Sequence, residues 1–150
     1  MTPRIDATNY IKSGLGKAML ALQREVETSG LEHSLMELVK IRASQINGCA
    51  YCLHVHSKDA RHGGETEQRL YLLDAWHESS LYTERERAAL AWTEALTRIA
   101  ETHAPDATYD EVRRHFEDKE LVDLTTLIGL APPCRRRPIS LVYAFATPPI

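Results

Sequence analysis

The stretch Glu37-Leu-Val-Lys-Ile-Arg-Ala-Ser-Gln-Ile-Asn-Gly-Cys49-Ala-Tyr-Cys52-Leu-His-Val-His56 reads as two helices with a break between them. Leu35, Leu38, Val39 and Ile46 follow one helical stripe, and Ser34-x-x-Glu37 fits a capping box that would start it. Asn47-Gly48 ends that helix. A second helix is expected from Cys49 to about Arg61, closed by Gly63-Gly64. At about 100° per residue from Cys49, Cys52 falls near -60° and His56 near -20°, so both thiols and one imidazole share a narrow face. His54 points to the far side.

Working outward, the same period recurs. Ile11, Leu15, Met19, Leu22 and Val26 lie on one face of a first helix that runs to about Ser29-Gly30. Leu70, Leu73 and Trp76 form a further stripe. The capping-box match Thr83-x-x-Glu86 precedes Ala89, Trp92, Leu96 and Ile99, and a second match, Thr108-x-x-Glu111, precedes Val112 and Phe116. Leu121, Leu124 and Ile128 complete the series. No alternating strand pattern competes before residue 138, so the expected fold is all-α. It is a single-domain bundle of about seven helices with a core over residues 4–130. Pro132-Pro133 should stop the last helix near Leu130. The tail, residues 131–150, reads as irregular: Arg135-Arg136-Arg137 is a solvated charge run, and Ile139 to Phe145 is apolar enough to pack as an arm or a helix turn.

Composition narrows the function classes. One hundred and fifty residues suit one domain, and 18 Lys+Arg against 21 Asp+Glu give a net charge of -3. Such a chain has no overall positive field for nucleic acid or anionic lipid. With 43% hydrophobic and 26% charged residues it should fold as an ordinary globule. Met1 to Asp6 carries charge where a secretory signal would be apolar, and no stretch approaches the roughly 20 apolar residues of a membrane span. The expected location is the cytoplasm.

Three cysteines, two of them only three positions apart, are unlike a secreted disulfide framework. Cysteines at i and i+3 of a helix have Cα atoms roughly 5 Å apart, close enough for a disulfide to form and break with little backbone movement. At the start of a helix, unpaired amides and the macrodipole stabilise a thiolate, and a nearby His can take its proton. A thiolate attacks peroxide oxygen, and a neighbouring Cys condenses the resulting sulfenic acid into a disulfide. Plainer readings stand beside this one. Cys49, Cys52 and His56, with His54 or a distant His, supply zinc-type donors, although no second Cys-x-x-Cys or His-x3-His pair is present. Glu37 is either the N3 carboxylate of its capping box or part of the site, and the spacing leaves both open. Cys134 stands by itself in the tail, and His33, His62, His77, His103 and His115 read as surface residues.

Glu37, Cys49-Ala-Tyr-Cys52 after twelve positions, and His56 four beyond the second Cys resemble the core of the alkyl hydroperoxidase D-like (AhpD-like) branch of the carboxymuconolactone decarboxylase superfamily. Lys58-Asp-Ala-Arg61, Gly64-Glu-Thr-Glu67 and Arg85-Glu-Arg-Ala-Ala-Leu-Ala-Trp92 extend the likeness from about Arg4 to Ile128. The resemblance implies a helical subunit that assembles into trimers or hexamers, with Cys52 peroxidatic, Cys49 resolving, and Glu37 and His56 in a proton relay. It implies a hydroperoxide substrate, a dithiol or disulfide-reductase electron donor, and no bound cofactor or metal. Founding members carry a second His immediately before the peroxidatic Cys, where this chain has Tyr51. Similar proteins also continue the last helix where Ala131-Pro-Pro-Cys-Arg-Arg-Arg-Pro138 interrupts it. The expected function is therefore a thiol-dependent peroxidase. The alternatives are a disulfide reductase adaptor for another peroxidase, a decarboxylase-type enzyme, or a non-catalytic zinc or binding module.

Overall fold

The structure, a computed structural model, describes residues 13–131. Ile11, Cys134, the arginine run at 135–137 and the apolar segment 139–145 lie outside the described residues. Among the described residues eight α-helices succeed one another: α1 Gly14–Glu27, α2 His33–Asn47, α3 Ala50–His62, α4 Glu67–Leu72, α5 Glu84–Thr97, α6 Ile99–Thr102, α7 Asp106–Arg113 and α8 Asp118–Gly129. A 3-10 segment, Leu73–Glu78, follows α4 directly. No strand occurs among the described residues, in keeping with the all-α expectation. The eighth helix is the single turn α6. The helix expected to continue through Ile99 ends at Thr97, and His103 and Ala104, at φ of 54° and 47°, then turn the chain away.

Helix α2 is the axis of the fold. Its sequence suggests one apolar stripe, but every residue from Leu35 to Ser44 is buried. Leu35, Met36 and Val39 join Ala89 and Trp92 of α5 and Leu124 of α8 in one apolar cluster. Leu38 and Ile41 join Leu73, Trp76, Tyr82 and Leu90 in a second. Full burial of each such side chain contributes about 1.5–3 kcal/mol, so these two clusters carry most of the hydrophobic stabilisation and hold α2 between them. The polar residues of α2 are drawn into the interior with it. Arg42 pairs with Glu94 and Asp74 and donates to Gln45, and the indole of Trp76 donates to Glu94. On the outside, α1 packs against α8 and buries Val26. Leu15 and Leu22 of α1 remain 66% and 42% exposed.

Helix ends separate true caps from mere matches. Thr83 and Glu86 form the expected capping box at α5. Ser34 does not cap α2: the helix starts one residue earlier, at His33, with Glu32 as N-cap and no side-chain cap bond. Thr108 likewise lies inside α7, which Pro105 precedes as N-cap. A capping box absent from the expectation, Glu117 with Glu120, opens α8, and Leu130 is the C-cap of that helix, at the stop that the proline pair predicts. We expect Thr83→Ala to cost about 1 kcal/mol of unfolding free energy and Ser34→Ala to stay within about 0.5 kcal/mol, as measured by urea denaturation. Equal losses would mean that α2 starts at Ser34 after all.

Candidate active site

Gly48 terminates α2 in the left-handed region, at φ 63°, where a residue without Cβ is least strained. The chain then enters α3 at once. Cys49 is the N-cap of α3 and not, as expected, its first residue, and its Sγ accepts a hydrogen bond from the Cys52 backbone N–H at 3.3 Å. The helix N-terminus is thus aimed at the Cys49 sulfur. Cys52 sits one turn further in. Cys49, Cys52 and His56 are all buried, at 3%, 6% and 3% exposure, and His54 is exposed.

Glu37 comes to this group from α2, which packs side by side with α3. Its carboxylate accepts from Lys40 Nζ at 2.8 Å on Oε1 and meets His56 Nδ1 at 2.9 Å on Oε2. Both oxygens face inward, and the cap to which Ser34-x-x-Glu37 would have assigned this residue is not made. Burial pushes the Glu37 carboxyl pKa up, but the His56 hydrogen bond and the charge of Lys40 outweigh it and hold the pKa below its ordinary value. An ionised carboxylate only accepts, so Nδ1 of His56 carries the proton of this hydrogen bond.

Cys52 and His56 line a narrow cleft between α2, α3 and the ends of α1 and α8, with Val26, Lys40, Leu127 and Leu130 among its walls. The cleft has room for a water-sized group, ≈ 30 Å³. Cys49, buried at the α3 N-cap, is not among the described residues that line this cleft. The sequence reading missed Lys40 and the walls contributed by α1 and α8. The signal for Lys40 was its position three residues after Glu37 on one helix. Among the described residues, the donors close enough to share a metal ion are Glu37, His56 and the exposed Asp59, within 4.8 Å of one another. Neither Cys49 nor Cys52 is in that group, and both Glu37 oxygens are engaged by Lys40 and His56. His33, His62, His77 and His103 are exposed as expected, and His115 is half-buried against Glu111.

A buried carboxylate on a central helix, facing a Cys-x-x-Cys-x3-His helix, defines the class as a helical dithiol protein of the AhpD type. The chain belongs to the carboxymuconolactone decarboxylase family, in its AhpD-like branch, and the family model matches residues 14–95. It is 40% identical over 129 residues to the uncharacterized protein YdfG of Bacillus subtilis, covering 86% of this chain and 87% of that one. It is 34% identical over 107 residues to the uncharacterized protein YnjA of Escherichia coli, covering 71% and 58% respectively. A crystal structure from Agrobacterium tumefaciens, of a protein of unknown function proposed as the antioxidant defence protein AhpD, superposes with a TM-score of 0.78 at 48% identity. That match covers 85% of this chain and 87% of the other.

Because the Glu37 pKa is lowered on folding, the stability it contributes is fully present above its unfolded value of 4.5 and is lost as pH falls through the folded value. Glu37→Gln leaves Lys40 buried without its counterion and is expected to cost about 3 kcal/mol at neutral pH. The gap between wild type and variant in urea unfolding should narrow below pH 4.5, as the wild-type carboxyl protonates. A gap that stays constant with pH would contradict an ionised Glu37.

Proposed function

We propose that this protein is a thiol-dependent peroxidase of the AhpD type, acting in the cytoplasm on hydroperoxides through a Cys49–Cys52 dithiol cycle. The observation that carries this reading is the cleft: Cys52 and His56 line it together, while Glu37 stands behind His56 at 2.9 Å. Taking charges out of water costs several kcal/mol per ion, and apolar residues of similar volume would often serve stability as well. A buried Glu–Lys–His network beside two thiols is therefore better explained by chemistry than by packing.

In the first half of the cycle, His56 Nε2 takes the Cys52 proton, and the thiolate attacks the terminal peroxide oxygen. An S–O bond forms as the O–O bond breaks, and the alcohol leaves with the proton returned by His56. The Cys49 thiol then attacks the Cys52 sulfenic acid: the S–S bond forms and water departs. One hydroperoxide and two thiols become one alcohol, one water and one disulfide. An external dithiol or a disulfide reductase supplies the two electrons that reopen the pair. Glu37 orients the imidazole and balances its charge when protonated. The assignment of Cys52 as the attacking sulfur is supported by its place in the cleft wall, from which Cys49 is absent. Tyr51, half-buried, occupies the position of the second His of the founding members, so proton transfer is assigned to His56.

A disulfide reductase adaptor would use the same dithiol, but at 6% exposure and in a narrow cleft Cys52 is better placed for a small peroxide than for a protein disulfide. We further propose a homo-oligomer, a trimer or hexamer. The exposed Leu15 and Leu22 of α1 are apolar area that a second copy would cover. Among the described residues no helix is long and apolar enough to cross a membrane.

Stopped-flow mixing of the reduced protein with peroxides tests the cycle. Cys52→Ser should abolish peroxide consumption. Cys49→Ser should permit one turnover and leave Cys52 as a sulfenic acid trappable by dimedone. His56→Ala should slow the peroxide step by about 10²- to 10⁴-fold. A Cys52→Ser protein that still forms a sulfenic acid would reverse the two roles. For the assembly, Leu15→Glu with Leu22→Glu is expected to lower the mass seen by light scattering to that of one chain. A monomeric wild type would remove the oligomer from the reading.

A further inference from the structure

The proposed cycle gives Lys40 no role, yet its amine is buried against Glu37 at 2.8 Å and lines the cleft beside Cys52 and His56. We infer that Lys40 is a positioning residue of the proposed reaction: acting through Glu37, it supplies the positive charge that lets Cys52 ionise while His56 holds the proton. This rests on the peroxidatic reading of Cys52.

The argument is one of charge in a confined space. With Lys40 present, the resting site holds one cation, Lys40, and one anion, Glu37, and is neutral. When the Cys52 proton moves to His56, the site holds two cations, the Lys40 ammonium and the His56 imidazolium, against two anions, the Glu37 carboxylate and the Cys52 thiolate. It is neutral again. No step creates a net buried charge, which would carry a large desolvation cost. Without the Lys40 charge, the Glu37 carboxylate stands uncompensated and the cheapest neutral state takes a proton from solvent onto His56. The carboxylate and the imidazolium then satisfy each other, the base is already occupied, and a Cys52 thiolate would be an extra anion in a closed site. Ionisation of Cys52 is pushed to higher pH.

Among the described residues, the other charged and titratable groups around the cleft do not replace Lys40. From α1 comes Glu27, exposed at the mouth and of the wrong sign. On α3, Asp59 is exposed and anionic, Cys49 receives the Cys52 amide, and His54 and Tyr51 are outside the lining. From α8 the walls are Leu127 and Leu130, which carry no charge. Among the described lining residues, Lys40 is the cation with a fixed charge.

The test measures thiolate formation directly, without peroxide. In a Cys49→Ser, Cys134→Ser background, the rate of Cys52 alkylation by iodoacetamide is followed against pH for Lys40 and for the Lys40→Gln and Lys40→Arg variants. Gln retains a donor for Glu37 Oε1 without the charge, and Arg retains the charge. Circular dichroism verifies that each variant is folded. The inflection for Lys40→Gln should move up by about one pH unit, the lower end of the effect of a neighbouring opposite charge, while Lys40→Arg stays with the parent. A Lys40→Gln profile that coincides with the parent, or a Lys40→Arg profile that moves as far as Lys40→Gln, would overturn the inference. Separately, a parent inflection near the ordinary thiol value of about 8.5 would count against the peroxidatic reading and not against the Lys40 comparison.

Discussion

The Glu37 carboxylate, buried on α2 and accepting from Lys40 on one oxygen and His56 on the other, is the interaction on which the site depends. An ionised carboxylate is stable in a closed interior only when its lone pairs are satisfied and its charge is matched. That requirement fixes the register of α3 against α2, because His56 must arrive within hydrogen-bond distance. Once His56 is placed, Cys52, one turn earlier on the same face, reaches the same cleft. Gly48, in the left-handed region between the helices, lets α2 end and α3 start within two residues and puts Cys49 at the α3 N-cap.

The surrounding fold supplies the burial that makes this pairing strong. Two apolar clusters grip α2 from opposite sides, so the polar side chains Glu37, Lys40, Arg42 and Ser44 lie in the interior. Each is answered: Arg42 by Glu94 and Asp74, Ser44 by donating to the Lys40 carbonyl at 2.7 Å, and Glu37 by Lys40 and His56. Glu94 is held in its charged form in the same way. Burial pushes its pKa up, and the Trp76 indole and the Arg42 guanidinium bring it below the ordinary value. The two networks use different residues of one helix, so the rigid scaffold and the chemical site share a backbone without sharing side chains.

Helix boundaries show how far local pattern reaches. Three Ser/Thr-x-x-Glu matches are equivalent as sequence, yet only Thr83-x-x-Glu86 forms a box. Ser34 and Thr108 lie past the points where the backbone leaves extended geometry, at Glu32 and Pro105. At Glu37 a partner 19 residues away in sequence takes the carboxylate that the local pattern would have assigned to a cap. The α8 box uses Glu117, which lies outside the usual Ser/Thr/Asp/Asn set for that position.

Periodicity by itself determined the all-helical class, the break at Asn47-Gly48 and the shared face of Cys52 and His56, because the helix repeat fixes these angles within one element. The spacing of Glu37, the two cysteines and His56 likewise determined which family the chain resembles. It could not place Glu37 against His56 or show that Lys40, Cys52 and His56 line one cleft. Those facts depend on how α2 and α3 pack and on the walls that α1 and α8 add. Burial and the pairing of Glu37 with His56 are set between helices, and a pattern read along one helix carries no record of what lies across from it.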